Sequence, residues 1–202
     1  MRFCGILSCL LLGLLLTPAV LRAFPATVMN VYDGDTLTVA PAGDENNPLF
    51  VRLYGVDAPD LKQNGGQEAR QWLVKTLPDR TNIEVIPMGV DAYGRVLGFV
   101  VLKGTAINRS LLDEGHAWVT SQSCRAMVCR RWKEAEKKAR DDGKGLWAKK
   151  NPIAPWLWGK DGVQTPGHEY PFAGRDTPAH SGTDLKVDPR IDPRSWFLLD
   201  PP

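Results

Sequence analysis

VMNVYDGDTLTVA, running from Val28 to Ala40, is the stretch whose reading decides the fold. Val28 to Tyr32 and Leu37 to Ala40 are rich in apolar and β-branched residues, and the Asp-Gly step between them is a hairpin signal. Two antiparallel strands joined at Asp33-Gly34-Asp35-Thr36 are therefore predicted. Three further strands follow at Phe50–Leu53, Ile83–Ile86 and Val96–Leu102, the first reached through the Gly-, Asn- and Pro-rich loop Ala42–Pro48. Helices are interleaved with them. Gln67–Leu77 places Ala69, Trp72, Leu73 and Leu77 on one face and stops at Pro78. Ala106–Glu114 turns Ile107, Leu111 and Leu112 inward and stops at Gly115. Cys129–Asp141 carries Trp132, Ala135 and Ala139 at helical spacing and ends at Gly143 and Gly145. Five short strands with three helices predict an α+β domain, an OB-type five-stranded β-barrel capped by helices.

The ends of these strands gather charged groups. Asp33 and Asp35 stand in the first turn. RLYGVDAPD then brings Arg52, Asp57 and Asp60, and DAYGR brings Asp91, Tyr93 and Arg95. Carboxylates at loop ends hold a hard divalent cation through oxygen. Arginine offers a planar fork that suits phosphate oxygens. A metal, a base for water, and positive charge where the phosphorane's negative charge develops are what phosphodiester hydrolysis requires. Taken singly, each group has a plainer use. DGDT is also an ordinary hairpin turn, Asp57 and Asp60 suit turn or helix caps, and Arg52 and Arg95 suit structural ion pairs with the same aspartates. Tyr93 either supports Arg95 or turns its hairpin. His116 follows a helix stop and reads as a surface or half-buried residue, and the basic run Arg130–Arg140, interleaved with Glu134 and Glu136, as a solvated helix face.

The first 23 residues have a different character. Arg2 precedes an apolar run, Ile6 to Leu16, which Pro18 breaks; Thr17-Pro-Ala19 and Leu21-Arg-Ala23 each end in Ala, as a cleavage site would. This is the pattern of a secretory signal peptide, with an uncleaved anchor as the alternative, and it implies a periplasmic or secreted protein. The whole chain has a formal charge of +2. Losing Arg2 and Arg22 with the signal leaves acidic and basic groups balanced, which excludes a tight, sequence-independent clamp on nucleic acid. Any such contact is then local, weak and without strong sequence specificity. Cys4 and Cys9 leave with the signal, so Cys124 and Cys129 remain as a pair in an oxidising compartment and are expected to form a disulfide, worth about 2 kcal/mol for so short a loop. Their spacing lacks the second ligand pair of a zinc site. Past Trp147, Pro152–Trp158 reads as an aromatic strap on the barrel. From Gly159 the chain is rich in Pro, Gly, Asp and Arg, with Trp196–Leu199 as its last apolar patch. The division expected is signal 1–23, folded domain 24–150 and a Pro/Gly-rich extension 151–202 that is disordered or loosely attached from Gly159, the processed protein being a monomer with no membrane span.

DGDT, RLYGVDAPD and DAYGR, in this order and at these intervals, resemble the thermonuclease family, whose best-known member is staphylococcal nuclease. The resemblance covers about Ala26 to Lys149 and closes on Gly145-Leu-Trp147. It implies an OB barrel with three helices and a calcium-dependent hydrolase that cuts DNA and RNA to 3′-phosphates with one Ca2+. Carried over by position, Asp35 and Asp57 match side-chain calcium ligands, the Ala58 carbonyl a backbone ligand, and Arg52 and Arg95 the arginines on the scissile phosphate. Asp60 falls where the family usually has a glutamate that orients or deprotonates water. Aspartate sets its carboxylate back by about one C–C bond, 1.5 Å, and misplacement on that scale costs on the order of 100-fold in rate. Tyr93 is expected to touch substrate. Thr120 stands near a position where many members carry tyrosine. A non-catalytic OB-fold nucleic-acid-binding or envelope interaction protein is the alternative. All of Asp35, Asp57, Arg52 and Arg95 are nevertheless present, as catalysis needs.

Overall fold

Strands β1 (Phe24–Val31) and β2 (Thr36–Pro41) pair antiparallel across the Asp33–Asp35 turn, with Thr27 opposite Ala40 and Val31 opposite Leu37. The computed structural model describes residues 23–120 and 128–158. The signal segment, Cys124 and the extension beyond Trp158 lie outside the described residues. Ala26 and Val28 of β1 point into the core, and a register shift between Val28 and Asn30 then changes the phase, so that Val31 is buried while Met29 faces solvent. β2 buries Leu37 and Val39 completely.

β3 (Leu49–Leu53) adds to β2 and buries Val51 and Leu53. The short β4 (Val56–Asp57) follows. Helix α1 (Gly66–Thr76) then packs Ala69 and Leu73 on the core, and β5 (Asn82–Val90) pairs with β1. β6 (Val96–Leu102) forms a hairpin with β5, and β7 (Thr105–Ala106) folds back on β6. The parallel pairing of β6 with β3 closes the barrel, setting Val96 beside Val51, Leu97 beside Arg52 and Gly98 beside Leu53. The five strands β1, β2, β3, β5 and β6 form the closed, mixed OB-type barrel that the sequence predicts.

α2 (Ile107–Asp113) and α3 (Val128–Asp141) cover β6, whose Phe99, Val100 and Val101 are all buried. Phe99 meets Trp132 of α3 edge to face at 5.6 Å between centroids. Gly115 and Gly143, both in the left-handed region, let the chain turn after α2 and α3. β8 (Trp118–Val119) pairs antiparallel with β4, and so ties the chain after α2 to the loop after β3. Among the described residues no helix is long and apolar enough to cross a membrane. The strap packs through Ala154, which joins Trp118 and Leu146 in a small second core, and Trp158 is half-buried, while Trp156 remains 37% exposed.

Candidate active site

The first turn is built for close approach. The Asp33 carboxylate accepts a hydrogen bond from the Asp35 amide at 3.0 Å, a local turn that fixes the Asp-Gly-Asp backbone. A Cβ on Gly34 would lie 2.6 Å from the Ala58 Cβ and 2.7 Å from the Ala69 Cβ. Glycine is thus required for the turn to rest on both the loop after β4 and α1. From the other side Arg70 of α1 donates through Nε to the carbonyls of Val31 and Tyr32, holding the end of β1.

This packing aims Asp35 inward, where it is 1% exposed. Its Oδ2 accepts the Ala58 amide at 2.6 Å, and its Oδ1 accepts the Thr36 hydroxyl at 3.3 Å and Nη1 of Arg52. Nη2 of the same guanidinium reaches the Asp57 carboxylate. Arg52 on β3 thereby bridges two aspartates 22 residues apart in the chain, one at the start of β2 and one in β4. Burial pushes the Asp57 carboxyl above its ordinary range. Arg52 pulls it back, and the negative charges of Asp60 and Asp33 add to the rise. One guanidinium against the two carboxylates of Asp35 and Asp57 leaves one negative charge that this contact does not balance.

That surplus suits a cation. The carboxylates of Asp35 and Asp57 are hard oxygen donors, joined through Arg52 and with the Ala58 amide on Asp35, a donor set that would fit calcium or magnesium and not a thiophilic metal. Each carboxylate oxygen keeps lone-pair capacity beyond the bond it already accepts. Among the described residues no group of three or more His, Cys, Asp or Glu side chains encloses a metal. Backbone oxygen and water would have to complete the coordination shell of any ion held there, as is common for calcium and magnesium.

Asp60 lies close enough to Asp57 to raise its pKa. Gln63 holds the Asp60 backbone: its Oε1 accepts the Asp60 amide at 3.3 Å, its own amide donates to the Asp60 carbonyl at 2.8 Å, and its Nε2 donates to the Ile153 carbonyl. A Cβ on Gly66 would fall 1.9 Å from that same Asp60 carbonyl, so the start of α1 presses directly on the loop.

Arg95 stands just before β6, two register positions from the partner of Arg52. The Asp91 carboxylate accepts the Arg95 Nε at 2.6 Å and its amide at 2.9 Å, and the Tyr93 ring lies 5.4 Å below the guanidinium. Tyr93 is 82% exposed at the tip of the β5–β6 hairpin, where it touches Arg95 and is open to solvent. Thr120 donates its amide to the Gly55 carbonyl at 3.1 Å, at the edge of the same loop. Of the cysteine pair, Cys129 is the second residue of α3 and Cys124 lies outside the described residues.

Two supporting residues escape sequence reasoning. Asn108 of α2, fully buried, accepts the Val100 amide through Oδ1 and donates to the carbonyls of Tyr54 and Gly98, which pins the end of β3 to β6. Its only signal is a polar residue beside Ile107 on an otherwise apolar face. Gln63 leaves no comparable signal in the sequence.

The family described as staphylococcal nuclease homologue matches residues 50–149. An uncharacterized endonuclease of Haemophilus influenzae is 35% identical over 134 residues, 65% of this chain and 70% of that protein. The chain belongs to the staphylococcal nuclease-like family. A micrococcal nuclease of Shigella flexneri is 34% identical over 144 residues, 67% of this chain and 80% of that protein. A rice protein named as a probable staphylococcal-like nuclease is 34% identical over 111 residues, and the chain spans only 29% of that protein's length. The staphylococcal nuclease-like family is one of metal-dependent phosphodiester hydrolases. Its match begins in β3, so Arg52, Asp57, Asp60 and Arg95 fall inside it while Asp35 lies before it. Asp35 joins the others through the Arg52 bridge.

Proposed function

We propose that this protein is an exported, calcium-dependent endonuclease that hydrolyses DNA, RNA or both to 3′-phosphate products. The observation that carries the proposal is Arg52 shared between the buried Asp35 and the half-buried Asp57 in a chain of this family. Asp35, Asp57 and the Ala58 carbonyl would hold one calcium ion, which supplies Lewis-acid polarisation of the phosphate and of water. Arg52 then faces the scissile phosphate from within the barrel, and Arg95, oriented by Asp91, supplies a second positive group. Asp60 takes a proton from the attacking water as its oxygen bonds to phosphorus. The bond from phosphorus to the 5′ oxygen breaks, and that oxygen takes a proton from solvent. The 3′ side keeps the phosphate. Tyr93, exposed beside Arg95, is placed to contact the substrate.

The apolar run Ile6 to Leu16 behind Arg2, broken at Pro18, supports export, and the reading includes a Cys124–Cys129 disulfide in the exported form and a monomer as the working unit. Intact-mass measurement of exported protein, with and without reduction, tests the cleavage and the disulfide together. Two free thiols would remove the disulfide, and a mass that retains Met1 would remove the cleavage.

The activity itself is tested by incubating purified protein with plasmid DNA and with RNA in calcium or in EGTA. Cleavage in calcium that stops in EGTA is expected. The rate should rise toward alkaline pH, because a carboxylate is a weak base and hydroxide becomes available. Undiminished cleavage in excess EGTA would refute the metal assignment, as would an optimum in the acid range.

A further inference from the structure

A cleft of about 430 Å3 lies between β8, α3 and the Pro155–Leu157 turn, and the hydrolysis described above does not use it. Trp118, Val119 and Ala154 form its floor. One wall is α3, where Lys133, Lys137 and Arg140 recur at i, i+4 and i+7 and so form one stripe. Trp156 of the strap also lines it, 37% exposed.

The wall is cationic in effect. Glu136 lies within it, but both its oxygens are engaged, Oε2 by the Val119 amide at 2.8 Å and Oε1 by Nη2 of Arg140 at 2.6 Å. Lys137 meets Asp141, yet both side chains are more than half exposed, and such pairs contribute little and yield readily to a competing anion. Lys133 makes no hydrogen bond or ion pair among the described residues. Ammonium groups and an exposed aromatic ring lining one cleft match the repeating phosphates and bases of a single nucleic-acid strand.

The cleft also adjoins the candidate site. Trp118 is the register partner of Asp57, and Val119 that of Val56, so the floor begins on the same rung of the ladder as a candidate calcium ligand.

We infer that this cleft is a strand-binding exosite that takes the single-stranded flank of a nucleic acid whose scissile phosphate lies at Arg52 and Asp57. Lys133 and Lys137 contact two backbone phosphates there, and a base stacks on Trp156. The inference rests on the nuclease reading for its ligand. It adds that affinity grows with strand length, which the balanced charge of the mature chain alone would not produce.

The test is the full chain carrying Lys133→Gln and Lys137→Gln together, with Trp156→Ala as an independent second variant. Each lost phosphate contact removes about 0.7 from the salt slope and about 5-fold in affinity at 0.1 M salt for single strands. The lysine pair should therefore weaken binding of a fluorescent strand of about 20 nucleotides by about 25-fold and flatten the slope by about 1.4. Trp156→Ala should cost about 10-fold. In cleavage, the loss should appear in KM for the long strand and be absent for a dinucleotide too short to reach α3. Anisotropy of the long strand reports on the cleft even if the wild type cleaves nothing, so failure of the nuclease reading and failure of the exosite are distinct results. Unchanged affinity and salt slope in the lysine variant would overturn the exosite. So would a shifted Tm with unchanged affinity.

Discussion

Replacing Arg52 by methionine keeps much of the apolar stem and removes the fork that bridges Asp35 and Asp57. Asp35 is 1% exposed, so water cannot take the guanidinium's place there, whereas Asp57 and the arginine are 20% and 22% exposed and recover some solvation. Removing one partner of a buried pair costs about 3–5 kcal/mol, and partial exposure reduces this to an expected 2–3 kcal/mol. For a domain of this size that is a fall in Tm of about 8 °C. The sign with pH follows from the carboxyls. Burial already raises the Asp57 pKa, and without Arg52 it rises further. Protonation then relieves the repulsion, so the deficit relative to wild type should be largest near neutral pH and shrink toward about pH 5. Calcium offers the missing positive charge, and should raise the Tm of the variant more than that of wild type. Activity should fall by at least about 100-fold, because charge is removed from the transition state as well. Thermal unfolding by circular dichroism at both pH values, in calcium and in EGTA, reads all of this. A Tm indistinguishable from wild type in EGTA would refute the reasoning, since the aspartates would then not depend on Arg52.

Three further outcomes are expected. Asp60→Asn should lose most activity at saturating calcium with little change in calcium affinity, and Asp60→Glu should hold or raise the rate by restoring the longer reach; wild-type turnover in Asp60→Asn would place water activation elsewhere. Asn108→Ala takes the acceptor from the Val100 amide and one donor each from the Tyr54 and Gly98 carbonyls, Gly98 keeping the Tyr54 amide, and should cost about 2–3 kcal/mol in urea unfolding while the remaining folded protein keeps its turnover; a loss of turnover without a loss of stability would contradict a purely structural role. Burial lowers the His116 pKa, its ring lying 5.5 Å from that of Trp72. Its neutral form therefore supports stability that is fully present above the unfolded value of about 6.5 and lost as pH falls through the lower folded pKa. His116→Gln should flatten the dependence of the urea midpoint below neutrality, and an unchanged slope would show that other groups dominate.

The barrel was legible because its strands and helices announce themselves locally. Alternating Val and Leu, the Asp-Gly turn and the stops at Pro78, Gly115 and Gly143 set most boundaries within one or two residues. β5 extends past Pro87 to Val90, which its proline argues against; the strand tolerates it by shifting register between Pro87 and Gly89. The β4–β8 ladder escaped because two-residue strands carry no periodicity. The site divides along the same line. Residue types and order point to Asp35, Asp57 and Arg52, but that one guanidinium serves both carboxylates depends on the closure of β3 against β6 and on the packing of Gly34 on Ala58 and Ala69. Asn108 of α2 holds that closure through the carbonyls of Tyr54 and Gly98. Stability and function are therefore coupled at this corner of the barrel. The non-local contacts that close it bring two acids to one arginine, and the negative charge left over is both a local cost to folding and the reason a cation would bind.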